Sequence, residues 1–316
     1  MSTAFIFPGQ GSQAVGMGKA LADTFPAARA VFDEVDAALG EKLSAVMWDG
    51  PIETLTLTAN AQPALMAASL AAIRVLEAEA GLDLAADAAF VAGHSLGEYS
   101  ALAAARSFTI SDAARLLRLR GTAMQSAVPV GAGAMAAILG LDYDKVAAVA
   151  QEAAAGEVCD IANDNAPGQV VVSGGTEAIA RAVDIAKREG ASRAILLPVS
   201  APFHCRLIAS AAEAMREALA GVAVAAPVVP VVANVTAAPV SDPDEIRALL
   251  VRQVTGTVRW RESVAFMAGA GVTRLVEVGS GKVLAGLVKR IAREIAAANV
   301  SSPEDVAAFA ASRQPA

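Results

Sequence analysis

The stretch FVAGHSLGEY, residues 90–99, decides the fold that the sequence predicts. An apolar run enters a Gly-x-Ser-x-Gly pattern, and a helical segment follows from Ser95 to Ala104. A strand that turns sharply into a helix through two glycines is typical of a nucleophile elbow. The pattern predicts Ser95 as a nucleophile and the backbone N–H of Leu96 as an oxyanion donor. The five-residue pattern alone also occurs in plain tight turns, so the flanking strand and helix carry the interpretation.

Short apolar runs alternate with long alanine-rich stretches on both sides of the elbow. Core strands are predicted over 4–7, 90–92, 228–232 and 274–278. A helix is predicted over 61–80, with Asn60 as its cap and Pro63 in its first turn. The tail from Asn299 predicts a final helix, with Ser302 as its cap. The alternation favours the α/β class, with an α/β-hydrolase-like, mostly parallel sheet.

The order of predicted elements changes between residues 134 and 196. Strands over 134–139, 158–163, 169–173 and 193–196 and helices over 143–155 and 176–189 follow in the order βαββαβ. This order is that of a ferredoxin-like unit. Residues 163–168, NDNAPG, have the composition of a hairpin connection between the middle strands. We therefore predict a large catalytic domain from residues 1–130 and 198–316, with an inserted ferredoxin-like small domain at 131–197.

Composition excludes several classes of function. The 316 residues are 55% hydrophobic and 18% charged, so the chain can bury a large core. A net charge of −7 with 4% aromatic residues argues against nucleic-acid and anionic-membrane partners. Two cysteines and two histidines cannot supply a usual zinc site, so no metal is expected. No basic residue precedes Lys19, so we expect no secretory signal and a cytoplasmic protein.

The base that a serine nucleophile requires is found by elimination, because the chain has only two histidines. His94 precedes the nucleophile within the elbow, and its side chain should leave on the opposite side. It can line the pocket but cannot easily bond Ser95. His204 is therefore the predicted base, and the alternative is a histidine buried for packing alone.

Arg120 lies in the middle of an apolar stripe of the helix predicted over 112–128. At 100° per residue, this arc also contains Leu117 and Met124. A guanidinium is costly there unless an anion meets it, and its fork suits a carboxylate. Either an internal Asp or Glu pairs with Arg120, or a substrate carboxylate does.

The loop FPGQGSQ, residues 7–13, leaves the first strand at the edge of the sheet where ligands bind. Its N–H groups could complete an oxyanion hole, although a plain strand-to-helix turn has the same appearance. The Lys-Ser/Thr ending of a phosphate-binding loop is missing.

Six separated motifs together resemble the acyltransferase family that transfers malonyl groups from CoA to acyl carrier protein in fatty acid and polyketide synthesis. In order along the chain they are FPGQGSQ, GHSLGEY, LRGTAMQ, IANDNAPGQVVVSG, PVSAPFHC and EVGSGKVLAGLVKRI. The resemblance covers nearly the whole chain. It implies malonyl-CoA and acyl carrier protein as partners, no cofactor, a malonyl-serine intermediate and a monomer.

The resemblance also implies roles for particular residues. Ser95 and His204 would form the catalytic pair, and Arg120 would bind the malonyl carboxylate. The oxyanion donors would be the N–H groups of Gln10 and Leu96. Further residues would orient the base or line the pocket, namely the backbone carbonyl of Gln253 and the side chains of Asn163 and His94.

Phe203 departs from many family members, which carry a small residue before the base. The bulky ring resembles the choice in malonyl-selective acyltransferases, and we interpret it as narrowing the pocket against an α-methyl branch. Fatty acid and polyketide pathways use the same site, so either fits. The rival functions are an α/β thioesterase and a non-catalytic acyl-binding protein. Esterases place the acid between serine and histidine, with the histidine near the C-terminus, whereas His204 lies over a hundred residues before the end.

Overall fold

The computed structural model describes residues 2–199 and 201–313. Its strands are β1 (Thr3–Phe7), β2 (Ala88–Gly93), β3 (Gly133–Leu139), β4 (Cys159–Ala166), β5 (Gln169–Gly175), β6 (Arg193–Leu196), β7 (Val231–Ala233), β8 (Ala238–Val240), β9 (Arg274–Val278) and β10 (Ala296–Val300). Its helices are α1 (Lys19–Thr24), α2 (Pro26–Leu39), α3 (Leu43–Asp49), α4 (Ile52–Thr56), α5 (Thr58–Ala80), α6 (Leu84–Asp87), α7 (Gly97–Ala104), α8 (Ile110–Ser126), α9 (Tyr143–Ala154), α10 (Thr176–Arg188), α11 (Ala209–Ala220), α12 (Pro243–Thr255), α13 (Trp260–Gly269), α14 (Val283–Ile291) and α15 (Pro303–Arg313).

The larger sheet has six strands in the order β10-β9-β1-β2-β7-β8. The first five run parallel to one another, and β8 pairs antiparallel with β7. The β1 strand is completely covered from Ala4 to Phe7, as a strand with helices on both faces must be. The predicted α/β class with a mostly parallel sheet is confirmed, and the elbow leaves the carboxyl end of the central strand β2.

The second sheet has four strands in the order β4-β5-β3-β6, and every neighbouring pair is antiparallel. The helices α9 and α10 pack on one face, around a separate apolar cluster that includes Ile138, Val172 and Ile179. The opposite face contributes Met135 and Val171 to the main core. Each predicted element of this region is present, with its ends shifted by three residues or fewer.

A short seam of backbone hydrogen bonds, between residues 162–164 and Val258, joins the strand β4 of the smaller sheet to the rest of the chain. The Asp164 N–H donates to the Val258 carbonyl at 2.9 Å, and the Val258 N–H donates to the Ala162 carbonyl at 2.8 Å. Beside them, the carboxylate of Asp164, 1% exposed, pairs with Arg261 at 2.8 Å. The strand β4 is therefore fixed to both its own sheet and the segment that leads into α13.

The helix α5 crosses the core and is buried on nearly all sides, with an unbroken run of buried residues from Ala61 to Ile73. It begins at Thr58, so the prediction that Asn60 caps it is wrong. The carbonyl of Leu57 accepts the first helical hydrogen bonds, and the Asn60 side chain instead donates to the Thr54 carbonyl at 2.8 Å. No helix between residues 2 and 313, Ser200 apart, is long and apolar enough to cross a membrane.

Two strand ends differ from the prediction for identifiable reasons. Residues 163–166 belong to β4, because the pairing with β5 continues to Ala166 opposite Gln169 and leaves only Pro167 and Gly168 as the turn. The strand predicted over 228–232 is shorter and later, as β7. Pro230 has no N–H to offer a ladder and contributes only its carbonyl, which accepts from Val91.

The tail contains a strand that was not predicted. Residues 296–300, AAANV, have a helical composition but pair in parallel with β9, so Asn299 lies in β10 rather than in a helix. The final helix, α15, follows at Pro303, and the Ser302 hydroxyl accepts from the Asp305 N–H at 3.2 Å, as predicted for a cap.

Candidate active site

The elbow between β2 and α7 holds Ser95 in a left-handed backbone conformation, with φ 54°. This region is unfavourable for a residue with a side chain, and such strain concentrates at functional sites. A Cβ atom on Gly93 would lie 1.9 Å from the Gly97 carbonyl, and one on Gly97 would lie 2.3 Å from the Phe7 carbonyl. Both positions therefore require glycine, and the half-buried serine lies at the cavity where strand and helix meet.

The side-chain amide of Asn234, which follows β7, clamps this turn. Its Oδ1 accepts from the Ser95 N–H at 2.8 Å, and its Nδ2 donates to the Gly93 carbonyl at 2.7 Å. Asn234 is fully buried. Sequence reasoning missed it, although an asparagine between the apolar residues Ala233 and Val235 is a signal for a buried polar contact.

The structure brings Ser95 and His204 together across 109 positions of sequence, with Oγ 2.7 Å from Nε2. On the other side of the ring, Nδ1 lies 2.9 Å from the Gln253 carbonyl. A carbonyl only accepts, so Nδ1 carries the proton and Nε2 presents a lone pair. The Ser95 hydroxyl then donates to Nε2, which is the direction that base-assisted attack requires.

His204 is 4% exposed, and burial lowers its pKa to about 3, with the field of Arg120 acting in the same direction. The imidazole is therefore neutral at physiological pH. A neutral ring can take the proton of Ser95, whereas a protonated ring cannot.

This depressed pKa predicts an unusual pH profile. We expect no loss of Ser95 acylation rate as pH falls from about 8 to about 5, whereas a histidine with a pKa near 6.5 would be mostly protonated at the lower pH. Rapid-quench measurement of acylation in that range, with circular dichroism to verify the fold, tests this. A loss of rate on acidification, with its midpoint near pH 6.5, would contradict it.

Arg120 lies beneath Ser95 and is 1% exposed. Its Nη1 donates to Gln62 Oε1 at 2.8 Å, and its Nη2 donates to Gln253 Oε1 at 2.9 Å and Ser95 Oγ at 3.2 Å. The sequence left two partners open for Arg120, an internal carboxylate or a substrate carboxylate. Among the described residues, Arg120 forms no internal salt bridge. Neutral oxygens surround the guanidinium and leave its charge without a contacting carboxylate.

A cavity of ≈ 320 Å³ opens above these groups. The predicted site residues that line it are Gln10, His94, Ser95, Leu96, Arg120, Asn163, Phe203 and His204. Gln253 lies behind Arg120 and His204. The ring of His94 bonds Asn165 Oδ1 at 2.8 Å and makes no bond to Ser95, as predicted from the turn.

Backbone donors are free at the mouth of the elbow. In the ranges that the structure describes, the N–H groups of Gln10 and Leu96 have no hydrogen-bond acceptor, although both residues line the cavity. A backbone N–H without a partner is rare away from water, and two of them beside a nucleophile can receive an oxyanion.

Gln62 and Glu98 are buried polar residues that sequence reasoning did not single out. Each is 2% exposed. Glu98 Oε2 accepts from the Asn234 N–H at 3.0 Å and from Gln253 Nε2 at 2.8 Å. Their signal in the sequence is a polar residue inside an apolar helical run, which is the signal that identified Arg120.

The comparisons with known proteins all find acyltransferases. A family model described as acyl transferase domain matches residues 4–309. The Escherichia coli (strain K12) protein named malonyl CoA-acyl carrier protein transacylase is 48% identical over 305 residues, which are 96% of this chain and 97% of that one. The crystal structure of acyl-carrier-protein-S-malonyltransferase from Bartonella henselae has a TM-score of 0.96 at 56% identity and covers 98% of each chain. Another structure, described as a type II PKS acyl-carrier protein in complex with its malonyl-transacylase, has a TM-score of 0.95 at 42% identity and covers 99% of this chain and 100% of that one.

Proposed function

Since the chain belongs to the acyl transferase domain family, we propose that it transfers the malonyl group from malonyl-CoA to the phosphopantetheine thiol of acyl carrier protein. The observation that carries this proposal is one constellation. Ser95 Oγ lies 2.7 Å from a neutral base and 3.2 Å from a buried guanidinium that no carboxylate contacts in the described ranges. The base activates the nucleophile, and the guanidinium suits an acyl group that ends in an acid.

In the first half-reaction, the carboxylate of the malonyl group binds Arg120. His204 Nε2 takes the proton of Ser95, and Oγ forms a bond to the thioester carbon. The N–H groups of Gln10 and Leu96 stabilise the oxyanion, and the Gln253 carbonyl holds the ring. The carbon–sulfur bond then breaks, and CoA leaves with the proton from His204.

In the second half-reaction, the thiol of the carrier gives its proton to His204, and sulfur attacks the malonyl-serine ester. The bond from carbon to Ser95 Oγ breaks, and the serine recovers the proton from His204. The enzyme returns to its starting state, so the kinetics should be of the ping-pong type. No cofactor takes part in these steps, and the lining by Asn163 and His94 shapes the cavity.

The direct test follows the acyl group. The protein is mixed with malonyl-CoA and quenched, the peptide containing Ser95 is examined by mass spectrometry, and phosphopantetheinylated carrier protein is then added. We expect a malonyl adduct on Ser95 that moves to the carrier. An adduct lost to water at the same rate without the carrier would identify a hydrolase, and an absent adduct with intact malonyl-CoA would identify a binding protein.

Two alternatives concern pathway and reaction class. A free-standing acyltransferase of a polyketide pathway would use the same site. The structural relative in complex with a type II PKS carrier supports this alternative. Loading of fatty acid and polyketide carriers in competition distinguishes the pathways. The thioesterase alternative is disfavoured because a backbone carbonyl, rather than an Asp or Glu, contacts Nδ1 of His204.

Phe203, 8% exposed in the cavity wall, is the residue that we propose restricts the acyl group. We expect the wild type to prefer malonyl-CoA over methylmalonyl-CoA, and Phe203→Ala to raise the kcat/KM ratio of methylmalonyl to malonyl about ten-fold, since one methyl group is worth about 1–3 kcal/mol. Met135→Leu is the matched control because it keeps the side-chain volume elsewhere in the wall. Equal loading of both donors by the wild type would overturn the assignment.

We also propose that residues 131–197 form an inserted ferredoxin-like domain, with 1–130 and 198–316 as the hydrolase-like catalytic domain. The strand order β4-β5-β3-β6 and the separate apolar cluster under α9 and α10 support the proposal. The predicted monomer and cytoplasmic location stay predictions, and light scattering with size-exclusion chromatography tests the first.

A further inference from the structure

Gln253 joins four parts of the active site, three through its side-chain amide and one through its backbone carbonyl. Its Nε2 donates to the Ser95 carbonyl at 2.9 Å and to Glu98 Oε2 at 2.8 Å. Its Oε1 accepts from Arg120 Nη2 at 2.9 Å, while its backbone carbonyl lies against His204. The residue is fully buried. A single residue therefore links the nucleophile, the base, the cation and a carboxyl group.

The partners of this amide permit only one orientation. A guanidinium only donates and an ionised carboxylate only accepts, so the amide oxygen must face Arg120 and the nitrogen must face Glu98. Reversal of the amide would place two donors together at Arg120 and two acceptors together at Glu98. Glu98 thus determines, through the amide, the position of an acceptor that fixes Arg120.

Glu98 and Arg120 also interact electrostatically. The carboxyl of Glu98 does not contact Arg120, but each lies in the field of the other. When Glu98 is ionised, the two opposite charges face each other across the Gln253 amide, inside a core where charges are poorly screened. When a substrate carboxylate reaches Arg120, one cation must serve two anions.

We propose that Glu98 is a positioning residue that, through the Gln253 amide, holds Arg120 in place and moderates its affinity for the substrate carboxylate. This inference rests on the proposed function, because it requires an acyl group that ends in an acid. The charge of Glu98 keeps the guanidinium balanced in the empty pocket and weakens the binding of a second anion.

Glu98 changes between its ionised and neutral forms near neutral pH, since burial raises its pKa to about 7. The other ionisable groups around it do not change charge there. Arg120 faces it from α8 and stays protonated, and burial raises the pKa of Tyr99, its neighbour on α7. Across Gln253, the pKa of His204 is lowered to about 3.

The test compares malonyl-CoA with the neutral donor acetyl-CoA in Glu98→Gln. The variant keeps an acceptor oxygen for Gln253 but loses the charge. We expect the kcat/KM ratio of malonyl to acetyl to rise by about five-fold or more, through a lower KM for malonyl-CoA, in the usual range of coupling between sites. A ratio is unaffected by a change in the fraction of folded protein.

A pH series supplies a second readout. In the wild type the same ratio should rise as pH falls from about 8 to about 6, because protonation of Glu98 releases Arg120 from its counter-charge. In Glu98→Gln the ratio should stay flat. A merely structural role for Glu98 would not produce a difference between donors that depends on pH.

Glu277→Gln is the matched control. Glu277 is also fully buried, and its carboxylate accepts from the N–H groups of Leu284 and Ala285 at the start of α14. Its replacement should lower stability without a change in the ratio. If the wild type acylates Ser95 with malonyl but Glu98→Gln leaves the ratio unchanged, the role of Glu98 is overturned and the proposed function stands. If the wild type forms no malonyl adduct, the function itself fails.

Discussion

Ser95→Ala should abolish the malonyl adduct and lower transfer to the carrier by roughly four orders of magnitude or more, as removal of a catalytic nucleophile does in serine enzymes. In the proposed reaction, the Ser95 hydroxyl is the group of the enzyme that forms a bond to the acyl carbon. Intact-mass measurement after a malonyl-CoA pulse, together with a carrier-loading assay, gives both numbers.

The control for this variant is Ser100→Ala on the same helix. The Ser100 hydroxyl is buried and has no partner among the described residues, so its loss should leave both fold and activity unchanged. Binding of malonyl-CoA to Ser95→Ala should persist, because the cavity and Arg120 are untouched. Residual transfer above about one per cent would show that the thiol attacks malonyl-CoA directly.

Arg120→Ala should lower kcat/KM for malonyl-CoA by about 10²-fold and leave acetyl-CoA loading unchanged or improved. Truncation of one partner of a buried charged contact costs about 2–5 kcal/mol. A neutral acyl group makes no such contact. Removal of the buried cation also makes the pocket more apolar, which favours binding of a methyl group. Steady-state loading with the two donors measures the difference.

Arg115→Ala is the matched control for that experiment, because Arg115 lies on the exposed face of the same helix and pairs with Asp112. It should affect neither donor. Equal losses for malonyl and acetyl in Arg120→Ala would mean that the arginine supports the architecture around Ser95, which it contacts at 3.2 Å, rather than the substrate acid.

Local patterns predicted the elements whose causes are local. The elbow follows from two glycines around Ser95, and Arg120 was found because a charged residue in an apolar stripe demands an explanation. The strand β9 was predicted with its observed ends, Arg274–Val278.

Features that depend on distant residues could not be predicted in this way. Asn234 and Gln253 reach Ser95 across 139 and 158 positions, and nothing near them in the sequence indicates which groups they bond. The strand β10 has the composition of a helix, and only its pairing with β9 makes it extended. Long-range pairing overrode local propensity there.

The seam between the two sheets bears on how such proteins can be recombined. Its two hydrogen bonds join main-chain atoms of residues 162–164 to Val258. They can therefore form regardless of the side chains that a donor sequence has at these positions. The ion pair of Asp164 with Arg261 has no such tolerance, since one member lies inside the exchanged segment and the other outside it. A chimaera that takes residues 131–197 from a relative must therefore match that pair, or bury a carboxylate without its cation.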